Sequence, residues 1–139
     1  ELYKASIEGV KIKMIVRGIC CLIPENAEYS ANIEAKSIVD RYLEHTRFFI
    51  FCSGNKNKTY ISSADWMTRN LENRIEVTCP ILDNDNKKEI LDIFDIYWSD
   101  NKKSRKLNSL RINEYSKNVK ETLQAQNSVY NYYLKKIEK

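Results

Sequence analysis

The hydrophobic pattern changes period once, near Asp83, and that change limits the fold more than any other feature. Before it, apolar residues alternate or run in short blocks; after it, they recur at helical spacing. In "VKIKMIV", Val10, Ile12, Met14 and Val16 share one face and Lys11 and Lys13 the other, which predicts a strand ending at Arg17-Gly18. "RFFIFCSG" reads as a strand that stops at the polar turn "SGNKNK", "TYISSA" as the returning strand of a hairpin, and "RIEVTCPI" as a further strand closed by Pro80. "IEAKSIVDRYLEH" suits a strand or a short helix, and "DWMTRNLEN" a loop or a short helix. Past Asp83, Ile90, Ile93, Phe94 and Tyr97 fall at i, i+3, i+4 and i+7, an amphipathic helix with an acidic, Asn-rich entry. "KKSRKLNSLRINEYSKN" reads as basic and irregular, and a last helix is expected from about Val119 to Ile137. At the other end, "ELYKASIEGV" reads as the end of a helix closed by Gly9, as expected of a piece cut from a longer chain, and "ICCLIPENAEYSAN" as a loop. The order predicts an α/β domain whose sheet carries both hairpin and crossover links.

Composition sets the outer bounds. A chain of 139 residues and 16.4 kDa is expected to be one domain, burying roughly 68–70% of its unfolded surface. With 42% hydrophobic residues and only 3 Gly and 2 Pro, it is not a disordered chain. No apolar run approaches the ~20 residues of a membrane span, and no signal peptide is visible. These readings point to the cytoplasm. A net charge of +4 suits an anionic partner but discriminates little. The cysteines stand at 20, 21, 52 and 79 without a CxxC pair, and there is 1 histidine, so a zinc site has little support. Small buried thiols in a reducing compartment are the expectation.

Two clusters carry possible chemistry. The first is His45-x-Arg47 at the head of a strand. The second, "SSADWMTRNLENRIEV", holds Ser62, Ser63, Asp65, Arg69, Asn70, Arg74 and Glu76. Arginine offers a planar donor fork that fits phosphate oxygens, and a nearby histidine can serve as acid, base or phosphate contact. Arg17, after an apolar strand, is a third candidate, because ligands gather beyond the carboxyl ends of strands in α/β sheets. Each has a plainer reading: a lone histidine is commonly incidental, and a strand-end arginine commonly pairs with a surface acid. The basic run Lys102 to Lys106 reads as a solvated stretch before it reads as a guide for an anionic polymer. Tyr130, Tyr132 and Tyr133 read as packing.

Taken together, "IVRGICCLIP", "SIVDRYLEHTRFFIF" and "YISSADWMTRNLENRIEVTCPI" resemble the C-terminal part of bacterial polyphosphate kinases, closely from Leu2 to about Ile81 and more loosely along the tail. The resemblance implies a phospholipase D-like domain with a mixed β-sheet flanked by helices and followed by C-terminal helices. It implies one catalytic fragment over 1–139, with a core of about 1–82 and a helical tail of about 83–139. Reversible transfer of the ATP γ-phosphate onto polyphosphate would run through a phosphohistidine carried by a preceding domain that this chain lacks. His45 matches the second histidine of that site, and Arg17 and Arg74 match residues that contact phosphate. Arg47 stands where the superfamily has lysine, and Ser63, Asp65, Asn70 and Glu76 are expected in support. ATP or ADP is the implied substrate, Mg2+ would be bound by the missing part, and the whole enzyme would be a homo-oligomer with no specific nucleic acid. The chain alone is then expected to be inactive. Two positions depart from the family pattern: Glu25 stands where a glycine is usual after Pro24, and "CSGNKNK" where a Gly-Gly turn is usual. A non-catalytic nucleic-acid- or polyanion-binding domain is the alternative. A phosphodiesterase similar to phospholipase D is a third reading, against which Arg47 counts.

Overall fold

The computed structural model describes residues 1–54, 56–110, 113–116 and 121–138. The chain divides into two compact units, Glu1–Leu43 with Ile96–Lys139, and Glu44–Asp95.

The first unit begins with helix α1 (Leu2–Ile7). It stops where Gly9 takes φ +87, a left-handed conformation that glycine adopts without a Cβ penalty. Strand β1 (Ile12–Ile15) pairs parallel with β2 (Ile33–Ile38), and β6 (Ser104–Leu107) pairs antiparallel on the other side of β2. As the central strand, β2 supplies the core through Ile33, Ala35 and Ile38, all buried. The long β1–β2 connection is held by side chains rather than by a helix. Ser30 Oγ donates to Ile23 O at 2.7 Å and accepts from Asn26 N at 2.9 Å, while Tyr3 Oη accepts from Ile23 N at 2.8 Å.

Buried carboxylates then fix the tail. Asp100, 1% exposed, takes the N–H groups of Lys102, Lys103 and Ser104 on Oδ1 at 3.0, 2.7 and 2.8 Å, and that of Ala125 on Oδ2 at 2.6 Å. One side chain thereby sets both the start of β6 and the first turn of helix α4 (Ala125–Ile137). Asp40 accepts from Gln124 Nε2 at 2.6 Å and from Arg41 N at 2.8 Å, and it pairs with Lys103 at 3.7 Å. Burial alone would push its carboxyl up, but these donors outweigh burial and hold it below the usual aspartate range.

The second unit is an antiparallel sheet, β3 (Phe48–Ser53), β4 (Lys56–Ser62) and β5 (Thr78–Ile81), with helix α2 (Thr68–Glu72) between β4 and β5. Helix α3 (Asn84–Trp98) follows and runs on past the Asp95 boundary. Phe48 meets Phe94 edge-on at 6.4 Å, and Phe49 stacks on Trp66 at 5.0 Å.

The α/β class and the mixed sheet are present, and the ambiguous "IEAKSIVDRYLEH" supplies strand β2. The parallel link and the hairpins fall in separate sheets. Several expectations need correction. The basic segment is not irregular: it contains β6, and Lys102, Lys103 and Arg105 are engaged with Gln124, Asp40 and Tyr115. The last helix starts at Ala125, since 121–124 are not helical; Val119 lies outside the described residues. Pro80 sits inside β5 rather than closing it, which an edge strand tolerates. Cys21, Cys52 and Cys79 are exposed and Cys20 is half-buried, so the thiols are not core residues.

Glu25 adopts φ 57, a left-handed conformation that glycine adopts without a Cβ penalty. An L-residue in this region costs about 1–2 kcal/mol, and glycine loses about 0.5–1 kcal/mol of that gain through its freer unfolded chain. Glu25→Gly is therefore expected to raise the unfolding free energy by about 0.5–1 kcal/mol, measurable by urea titration.

Candidate functional site

Antiparallel pairing places the start of β3, the end of β4 and the start of β5 at one end of the second sheet. Beyond the Phe48–Ile61 pair, Arg47 O accepts from Ser62 N at 2.9 Å; beyond Ser62–Thr78, Ser63 N donates to Val77 O at 3.0 Å. The ladder itself brings the segments around His45, Ser63 and Glu76 together.

Arg47 is the central side chain of this end. Its Nε donates to Asp65 Oδ1 at 2.6 Å, with the two side chains 17% and 34% exposed. A charge-assisted bond at that burial is stronger than a solvated surface pair. Bonding to Asp65 pushes the Arg47 guanidinium above its already high range, with the Glu76 charge adding to it. Arg47 Nη2 lies 2.8 Å from His45 Nε2, and Nη1 donates to His45 O at 3.5 Å. The imidazole is exposed but tethered.

A second group is organised by Glu76. Its carboxylate accepts from Ser63 Oγ and, at 3.0 Å, from the Nδ2 of Asn70, a side chain that is 3% exposed. Ser63 Oγ also accepts from Val77 N at 3.0 Å. Ser63, Asn70 and Glu76 thus bond to one another and brace the segment that carries Arg74. Arg74 itself is exposed in the bend after α2. Arg17, exposed in the bend after β1, belongs to the first unit.

Of the residues singled out in the sequence, the second unit collects His45, Arg47, Ser63, Asp65, Asn70, Arg74 and Glu76. The sequence reading missed Thr78, whose Oγ1 lies 2.9 Å from Ser62 Oγ, and the Phe49–Trp66 stack next to Asp65. Only the strand register would have revealed them. Among the described residues no group of three His, Cys, Asp or Glu side chains could hold a metal ion. What the geometry offers is a fixed cation, an exposed cation and a tethered imidazole, a set suited to an oxyanion.

Residues 1–126 match the family described as polyphosphate kinase C-terminal domain 2. The chain is 48% identical to the polyphosphate kinase of Escherichia coli over 133 residues, which is 95% of this chain and 19% of that protein. It is 43% identical to the Vibrio vulnificus polyphosphate kinase over 140 residues, covering 100% of this chain and 20% of the other. The crystal structure of polyphosphate kinase from Porphyromonas gingivalis superposes with a TM-score of 0.95 at 47% identity, over 99% of this chain and 21% of that one. The fold and these matches define a C-terminal domain of the polyphosphate kinase type. The chain belongs to the polyphosphate kinase family, as its C-terminal domain, and spans about a fifth of the length of the relatives it matches.

Glu76→Ala would leave the buried Asn70 amide without its acceptor. The expected loss is about 1–3 kcal/mol of unfolding free energy by urea titration. Glu76→Gln, which keeps an acceptor oxygen, is expected to lose less.

Proposed function

We propose that this chain supplies half of a phosphoryl-transfer site, in an enzyme that moves the ATP γ-phosphate reversibly onto inorganic polyphosphate. A histidine in the preceding part of the enzyme carries the phosphoryl group between ATP and the growing chain. His45 faces the nucleotide phosphates and assists the transfer, and Arg17 and Arg74 neutralise phosphate charge. Ser63, Asp65, Asn70 and Glu76 keep the loop and Arg47 in place. The two-histidine arrangement is that of a phospholipase D-like domain pair, with Arg47 in place of the usual lysine. Magnesium belongs to the part of the enzyme outside this chain.

The observation that carries this reading is His45, bound to the Arg47–Asp65 pair at a sheet end, in a chain that matches polyphosphate kinases over almost its whole length. Phosphoryl transfer needs positioning and charge neutralisation more than covalent machinery, and this sheet end has the groups for both. Around it, Trp66, Leu71, Ile75 and Val77 are exposed. Apolar side chains left open beside polar chemistry suit a half-site that closes against another domain and excludes water there.

In the full-length enzyme, His45→Ala is expected to lower the rate of polyphosphate synthesis by about a hundredfold, a loss of roughly 2.7 kcal/mol of transition-state stabilisation. A rate within about threefold of wild type, measured at saturating ATP, would contradict the role given to His45.

A further inference from the structure

We infer that Asp65 and Arg47 form a positioning relay that sets the tautomer of His45, the proton of the neutral ring lying on Nδ1. The Nδ1–H edge is then the one left to meet an anion. For the anion being phosphate, the inference rests on the function proposed above; for the protonation pattern, it rests on hydrogen-bond chemistry alone.

A guanidinium carries only donors, and it stays charged in proteins. Arg47 Nη2 stands 2.8 Å from His45 Nε2, so Nε2 has to contribute its lone pair. A neutral imidazole has one N–H and one lone pair, so the proton sits on Nδ1. Either alternative, a proton on Nε2 or a full imidazolium, would set N–H against N–H at hydrogen-bond distance, and the imidazolium would add a second positive charge. Arg47 cannot easily turn away to relieve such a clash. Its Nε is bonded to Asp65 at 2.6 Å, and its Nη1 reaches the His45 carbonyl. The same guanidinium thus grips the backbone and the ring of one residue, with its own orientation set by a carboxylate eighteen positions along the chain.

Two consequences follow for the chemistry. With its lone pair occupied, Nε2 is not a nucleophile, so His45 is not the residue that accepts the phosphoryl group. It acts as a hydrogen-bond donor through Nδ1–H. The positive charge in this half-site comes from the arginines.

The chain has a single histidine, so a long-range proton–nitrogen NMR spectrum of the 15N-labelled 139-residue chain contains one imidazole pattern. It is read at about pH 8, above the ordinary range for histidine protonation. The expected wild-type pattern is a protonated Nδ1 and an unprotonated Nε2. An exposed histidine without this contact favours the opposite tautomer in water, so Arg47→Met and Asp65→Ala are each expected to shift the ring toward Nε2–H. A wild-type ring protonated mainly on Nε2 would overturn the relay with no variant needed. So would an Nδ1–H pattern unchanged in a folded Arg47→Met chain. A loss of folding alone does not produce the expected variant result, because it is judged on chains that retain native circular dichroism. Failure here leaves the His45→Ala rate measurement untouched, so the relay and the phosphoryl-transfer role are judged separately.

Discussion

The bond between Arg47 and Asp65 is the interaction on which the geometry of the second unit's sheet end depends. Its partners flank the β3–β4 hairpin, one just before β3 and the other just after β4, so the ion pair closes the hairpin at its open end. Partial burial gives it weight that a solvated pair lacks. Because one arm of the guanidinium is committed to Asp65, the other arm has a defined direction, and that direction is His45. Without the pair, an exposed imidazole would be free to sample its rotamers, and no site would be preorganised.

The same logic runs through the first unit. Among the described residues few apolar side chains are fully buried there: Pro24 in the β1–β2 connection, Ile33, Ala35 and Ile38 on β2, and Ala125 at the start of α4. Buried polar groups take over the task of specifying geometry. Asp100 collects four backbone N–H groups from two elements, and Ser30 and Ser6 tie down the loop between β1 and β2. Such networks are costly when broken and therefore hold one arrangement. Large apolar side chains such as Ile19, Leu43, Ile75 and Leu82 stay exposed, as suits a domain that is about a fifth of its full-length relatives.

Much of this was legible in the residues. Period-two alternation announced β1, the blocks around Phe48, Tyr60 and Thr78 announced the second sheet, and the spacing of Ile90, Ile93, Phe94 and Tyr97 announced α3. The candidate residues stood out because long motifs carried them. Strand β6 was not legible, since "SRKL" has no apolar alternation; it pairs with β2 because Asp100 fixes its start. Nor was the start of α4, where Gln124 makes no side-chain cap and the anchor is again Asp100, far back in the chain. The Arg47–Asp65–His45 connection was hidden for the same reason: it depends on strand register, which no local pattern encodes.

The central proposal is that Arg17 and His45 each contact phosphate chains. Its most direct test is calorimetric titration of inorganic polyphosphate into the 139-residue chain, compared with the Arg17→Ala, His45→Ala double variant and with a Lys102→Ala, Lys103→Ala control. Binding that is lost in the double variant and kept in the lysine control is the result this account requires. Equal binding by wild type and double variant, with loss in the lysine control, would mean that general basic charge holds the anion, and would contradict the site described here.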